Sequence, residues 1–369
     1  MKVIVVGNGF DLHCNLKSSF NHFYEGKIKN DVTKIRSNIW YLLLYFRFYR
    51  GAKEGVCELV RKDNILWMDV ENFISQVLNS GNGAAQGHPL AVINHIFKDG
   101  PSYPSNTSEF DFVQYGSFAL QRNELALLID AKAKTKDSYE FLMDELLSFE
   151  KDFSEYLLQE ETKNINYKYE SNDLIQSIAK HSGAFIISFN YTLASLKNNI
   201  LHVHGNLKEN NIIIGTDIST LANPDERAFR FAKSWRKMLS NTANMEIPAK
   251  ESVTELVFYG HSLSQQDYSY FHALFNLYDI YDSNIVLTFL YSDYEYLDSE
   301  KTIPDVKKNE HNKQVYIDKV FSLLRAYVRK TLTQYEADAV ITKIQLENRL
   351  KVLKLEDYFN KRFVIKTNS

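Results

Sequence analysis

Cysteine is nearly absent from this chain, with only Cys14 and Cys57 in 369 residues. Two thiols cannot build a four-thiolate zinc site or a framework of several disulfides. Long apolar runs are missing as well. The most apolar stretch, "SNIWYLLLYF" between Arg36 and Arg47, is about half the length a bilayer span requires, and it reads as a buried helix. The opening apolar stretch, Val3 to Val6, is a strand rather than a secretory leader. No membrane partner is expected, and the expected location is cytoplasmic. A dominant charge is also lacking: the formal net charge is −3 and the pI is near 6.4. An extensive nucleic-acid surface is therefore not expected, although a local basic groove stays open. Aromatics, by contrast, are abundant at 14%, with 23 Tyr and 24 Phe. They imply a thickly packed interior and leave a self-association surface open.

Short β-branched runs mark the strands: "VIVV" (3–6), "AFIISF" (184–189), "ILHVH" (200–204), "NIIIG" (211–215), "ELVFYG" (255–260) and "NIVLTFL" (284–290). Several are apolar throughout, as expected of a parallel sheet covered on both faces. Three end in Asn190, Gly205 and Gly260, and ligands of doubly wound sheets sit at such carboxyl ends. Leu142, Leu146, Phe149, Phe153 and Leu157 form a helical stripe. Ile317, Val320, Phe321, Leu324 and Val328 form another. Ser264 and Asp267 resemble a capped helix start before Phe271, Leu274, Phe275 and Tyr278. The charged tail from about Tyr335 to Leu355 reads as an exposed helix, and the polar runs 79–116 and 299–314 read as largely loop. The expected architecture is α/β, with a Rossmann-like parallel sheet core from residues 1–24 and 176–295. A mostly helical insertion (25–175) separates its first two strands, and a helical C-terminal region (296–369) follows.

Gly7-Asn8-Gly9 followed by Asp11 has two readings. It is either a tight turn or a backbone brought close to a phosphate; it lacks the third glycine of the dinucleotide fingerprint. Asp11 equally suits a helix cap. "SFNYT" places Asn190 at a strand end, and "LHVHG" places His202 and His204 two apart. Strand alternation turns those two histidines to opposite faces, which argues against a chelating pair, and no metal is expected. "GHSLSQQD" adds Gly260, Ser262 and a helix start. Asp69 and Glu71 raise the alternative of a magnesium-dependent nuclease-type toxin. On a helix they point about 200° apart, so acids near a helix start are the preferred reading. His261, Tyr191 and Trp67 read as packing residues.

The order of these segments carries a resemblance. "GNGFDL…LKSSF" and "GHSL…D" are similar to the AbiH family of bacteriophage abortive-infection proteins, and "WMDVENF" (67–73) resembles an element of the same family. "FNYT" and "HVHG" are SIR2-like in a broader sense. The resemblance implies a SIR2-like NAD-binding core in which Gly7, Asn8 and Gly9 contact the pyrophosphate and Gly260 and Ser262 lie near the adenosine ribose. It implies Asn190 beside the nicotinamide ribose and His204 as catalytic base. Asp11 joins these two as a candidate that stabilises a cationic ribose or holds a histidine in one tautomer. The implied activity is hydrolysis of NAD+ at the nicotinamide–ribose bond during phage defence. The alternative is a non-catalytic NAD or ADP-ribose sensor, and a phage-derived trigger and a homo-oligomer stay open. Two departures matter: the missing zinc cysteines count against a sirtuin deacylase, and Thr192, standing where those enzymes carry aspartate, counts against NAD+ cleavage and favours the sensor.

Overall fold

Apolar strand runs form a sheet wherever helices cover both faces, and that is the arrangement here. The structure, a computed structural model, describes residues 1–48, 67–79, 89–100, 118–134, 137–180, 182–192, 199–221, 225–239, 246–292, 306–331 and 334–360. Two compact units divide the chain: residues 1–16, 164–208 and 242–369 form one, and residues 17–163 and 209–241 form the other.

The first unit holds a six-stranded sheet of β1 (Lys2–Val6), β2 (Ala184–Ser188), β3 (Ile200–His202), β4 (Glu255–Tyr259), β5 (Val286–Tyr291) and β6 (Leu350–Lys354). The spatial order is β3-β2-β1-β4-β5-β6. All the pairings are parallel, with Val6 level with Ser188 on one side and Tyr259 on the other. Alternate residues feed two cores. Val3, Val5, Phe258 and Phe289 pack with Phe271, Phe275 and Leu324 on one face. Ile4, Val6, Val257 and Tyr259 pack with Phe10, Ile175 and Tyr358 on the other. The expected Rossmann-like α/β core is thus present.

The sixth strand was not foreseen. The C-terminal segment forms the helix Gln334–Leu346, then β6, then a short helix Leu355–Asn360. The exposed helix expected to run on to Leu355 stops where Leu350 pairs with Leu287. Along the helix Val306–Thr331 the buried positions are Val320, Leu323, Leu324, Tyr327 and Val328, while Ile317 and Phe321 are exposed. "NIIIG" is not a strand: an isolated bridge from Thr216 to Ala232 is all the pairing found there.

The second unit is helical, and "SNIWYLLLYF" is its buried helix Ile39–Phe48. Tyr41 of this helix packs ring against ring with Phe149, and Phe23 does so with Phe20 and Phe153. The predicted stripe from Leu142 to Leu157 is buried in the helix Ser138–Lys163. Cys57 and residues 80–88, 101–116 and 299–305 of the polar runs lie outside the described residues. No helix among the described residues is long and apolar enough to cross a membrane.

At the amino ends of the strands Lys2 Nζ donates to the Tyr358 hydroxyl (2.6 Å) and the Ile178 carbonyl (3.1 Å), and lies 3.4 Å from Glu255. Tyr358 thereby ties the C-terminal helix back to β1. Tyr358→Phe removes an acceptor from a buried ammonium and is expected to cost about 1–2 kcal/mol in urea unfolding. An unchanged midpoint would show that the tail is not held there.

Candidate functional site

The strand order reverses between β1 and β4, and there the backbones leaving the two strands meet. The Gly7 N–H donates to the Tyr259 carbonyl (3.2 Å) and the Gly9 N–H to the Gly260 carbonyl (2.7 Å). Gly260 is left-handed (φ +68), and a Cβ there would stand 2.2 Å from the Phe10 nitrogen. A Cβ on Gly7 would meet the His261 Cα at 2.7 Å. The glycines are therefore required for close passage of the two turns. Gly7 precedes the six-residue helix Asn8–His13, which Asn8 opens.

One polar group forms around Asp11. Asn190 Nδ2 donates to Asp11 Oδ1 (2.9 Å) and to the Gly7 carbonyl (3.0 Å). The Tyr167 hydroxyl donates to Oδ1 (2.8 Å) and Thr192 Oγ1 to Oδ2 (2.7 Å). Asp11 is 1% exposed. Burial pushes its carboxyl up to about 6, and the three donors offset part of that rise. The Thr192 departure now has a physical reason: an aspartate at that position would turn a second carboxylate toward Asp11.

A second polar group forms around Asp267. Its Oδ1 lies 3.3 Å from His204 Nε2 and its Oδ2 lies 3.6 Å from His261 Nε2. Asp267 stands at the N-cap of the helix Tyr268–Leu277 but makes no side-chain cap bond. The Ser264 side chain accepts from Gln266 N–H instead. Phe189 stands edge-on to both imidazoles, 5.2 Å from His204 and 4.6 Å from His261. Phe189 belongs to the same core as Phe271, whereas Tyr167 of the Asp11 group belongs to the other core. Consecutive residues Phe189 and Asn190 thus serve opposite faces, and Gly7 touches both groups.

The structure joins two of the three candidate catalytic residues, Asp11 and Asn190, and places His204 with Asp267. Asp11 holds no histidine: its partners are an amide, a threonine and a tyrosine. The N–H groups of Gly7 and Gly9, expected on a pyrophosphate, are paired with carbonyls. Ser262 is half-buried between His261 and Leu263. His202 lies with its Nδ1 3.2 Å from the Asn190 carbonyl. Tyr167, Asp267 and His261 are not among the candidates the sequence offers; "GHSL…D" contains the last two, but there His261 reads as packing and Asp267 as part of a helix start. Of the alternative pair, Glu71 is buried against Lys233 at 2.7 Å in the helical unit, and an ion-paired carboxylate is a poor magnesium ligand.

Strand order and parallel pairing define a doubly wound, Rossmann-like α/β protein. The sequence profile of the family described as "Bacteriophage abortive infection AbiH" matches residues 3–291. The chain belongs to the AbiH family. Searches of curated proteins and of solved structures returned no match.

Two outcomes follow from the geometry. Gly260→Ala places a Cβ against backbone at a left-handed position and is expected to destabilise by more than about 2 kcal/mol, read from thermal unfolding; a change under half of that would contradict the close passage. Asp11 has its folded pKa raised from 3.8 to about 6. Its unfavourable burial is therefore absent below pH 3.8, grows as pH rises, and is complete above 6. Asp11→Asn is expected to be more stable than wild type by up to about 3 kcal/mol at pH 7.5, with the gap closing toward pH 4. A variant less stable at pH 7.5 would show that the carboxylate is compensated.

Proposed function

We propose that this AbiH protein binds a nucleotide over the carboxyl ends of β1, β2 and β4 and, as its SIR2-like segments imply, hydrolyses NAD+ at the nicotinamide–ribose bond during abortive infection. The observation that carries the reading is the strand order β3-β2-β1-β4-β5-β6, with its reversal at the glycine contact. That order is the one dinucleotide-binding sheets use.

The chemistry divides between the two polar groups. His204 is the base: an imidazole titrates near working pH, and Asp267 faces its Nε2 at 3.3 Å. It accepts a proton from water as the water oxygen bonds to the ribose carbon and nicotinamide leaves as a neutral molecule. The products are ADP-ribose, nicotinamide and one proton. Asn190 and Asp11 act as positioning residues in this scheme, because both amide protons of Asn190 hold Gly7 and Asp11. The paired N–H groups of Gly7 and Gly9 do not fit the phosphate contacts implied for them. The pyrophosphate therefore rests on other groups.

A second reading, a nucleotide sensor that binds without turnover, is favoured by one observation. Asp11, the carboxylate beside the glycine turn, already takes hydrogen bonds on both oxygens and is buried. Purified protein with NAD+, with and without extract of phage-infected cells, separates the two readings by chromatography of products. Hydrolysis is expected in wild type and is expected to fall about a hundredfold or more in His204→Ala. Equal rates in the two would remove His204 as base, and calorimetric binding without product under both conditions would select the sensor.

A further inference from the structure

The loop leaving β4 is bent further than its contact with the glycine turn requires. Gly260 is left-handed for that contact, but buried Leu263 is left-handed as well (φ +53). A branched side chain is strained in that region, and strain of this kind persists where the surrounding structure imposes it. The bend produces one hydrogen bond: the Leu263 N–H donates to His261 Nδ1 at 2.9 Å. An imidazole nitrogen that accepts carries no proton, so the proton of the His261 ring is on Nε2. Nε2 is the nitrogen 3.6 Å from Asp267 Oδ2, while Oδ1 of the same carboxylate faces His204 Nε2.

The two rings have little freedom to turn away. Phe189 is nearly perpendicular to both, at interplanar angles of 87° and 80°. Phe271 stands edge-on to His261 at 4.9 Å, and Tyr270 stands edge-on to His204 at 5.4 Å. Leu263 N–H, His261, Asp267 and His204 thus lie in a row, the first link a hydrogen bond of 2.9 Å and the next two charge–dipole contacts at 3.6 and 3.3 Å. The row starts from backbone and ends on the proposed base. Among the described residues no group of three or more His, Cys, Asp and Glu side chains is gathered as metal ligands.

Resting on the reading of His204 as the base, we infer that His261 is a positioning residue. Its Nε2–H, directed by the Leu263 bond, points its positive end at the Asp267 carboxylate from 3.6 Å and by electrostatic attraction favours the orientation in which that carboxylate faces His204. The competing role is purely structural, with His261 serving only to tie down Leu263 through Nδ1. The two roles use different nitrogens, so they can be separated.

His261→Asn keeps an acceptor where Nδ1 stands and has nothing at the Nε2 position. His261→Gln places an amide N–H at the Nε2 position and loses the acceptor for Leu263. The readouts are kcat and KM for NAD+ and solvent exchange of the His204 Nε2–H, followed by nitrogen-15 NMR. His261→Gln is expected to stay within about threefold of wild-type kcat. His261→Asn is expected to lose about tenfold to a hundredfold in kcat, with KM little changed. The His204 Nε2–H is expected to stay protected in His261→Gln and to exchange faster in His261→Asn. The reverse ranking, or two variants both like wild type, would overturn the inference. The wild-type protein alone gives a check that needs no variant to fold: a proton on His261 Nδ1 instead of Nε2 also overturns it. If wild type leaves NAD+ intact under the triggering condition, the base reading fails, and the His204 exchange data still decide the positioning role.

Discussion

The turns that leave β1 and β4 pass with almost no room between them at the centre of the sheet, and the rest of the candidate site depends on that contact. Gly9 donates to the Gly260 carbonyl at 2.7 Å, and a Cβ on Gly260 would overlap the Phe10 nitrogen. β1 has all five residues buried and is flanked by β2 and β4, so neither turn can shift sideways to relieve a larger side chain. The closeness delivers Asp11 to Asn190 on one face and His261 to Asp267 on the other. A strand–turn–helix unit commonly opens onto a ligand through its N–H groups, but here those of Gly7 and Gly9 close onto the neighbouring strand.

Buried carboxylates are partnered in different ways. In the helical unit Glu71 faces Lys233 and Glu150 faces Arg236, each with a cation in contact. Asp11 has neutral donors only, and its carboxyl is held well above its ordinary range. A buried acid kept without a counter-charge costs stability, and cores that serve packing alone replace such groups with apolar ones. Its retention beside the glycine turn fits the trade of stability for a shaped site. Leu263, left-handed and buried, is a second instance of that trade, one loop away.

Much of the sheet was legible from sequence because its strands are unambiguous. "VIVV" is apolar throughout, and "AFIIS", "ELVFY" and "VLTFLY" are interrupted only by Ser188, Glu255 and Thr288, a near-continuous apolar pattern that burial on both faces favours. β6 was hidden because "LKVLK" carries two lysines at an edge and follows a charged helix. "NIIIG" misled for the opposite reason: its isoleucines are buried without pairing as a strand. Asn190 was legible as a polar residue at a strand end, Asp11 as the acid after the glycine turn, and His204 through its neighbouring glycine. The partners were not, since Tyr167 is 156 positions from Asp11 and Asp267 lies 63 beyond His204. Only folding reveals such pairs, and an aspartate at a helix start has a cap as its ordinary explanation.

The central claim is that the close passage of the turns leaving β1 and β4 positions side chains to bind a nucleotide. A crystal of the full chain soaked with NAD+ tests it most directly. Difference density over the carboxyl ends of β1, β2 and β4, in contact with residues of the Gly7–Gly9 and Gly260–Ser262 turns and within reach of His204, is the predicted result. Density confined to the helical unit, or none at saturating concentration, would contradict it.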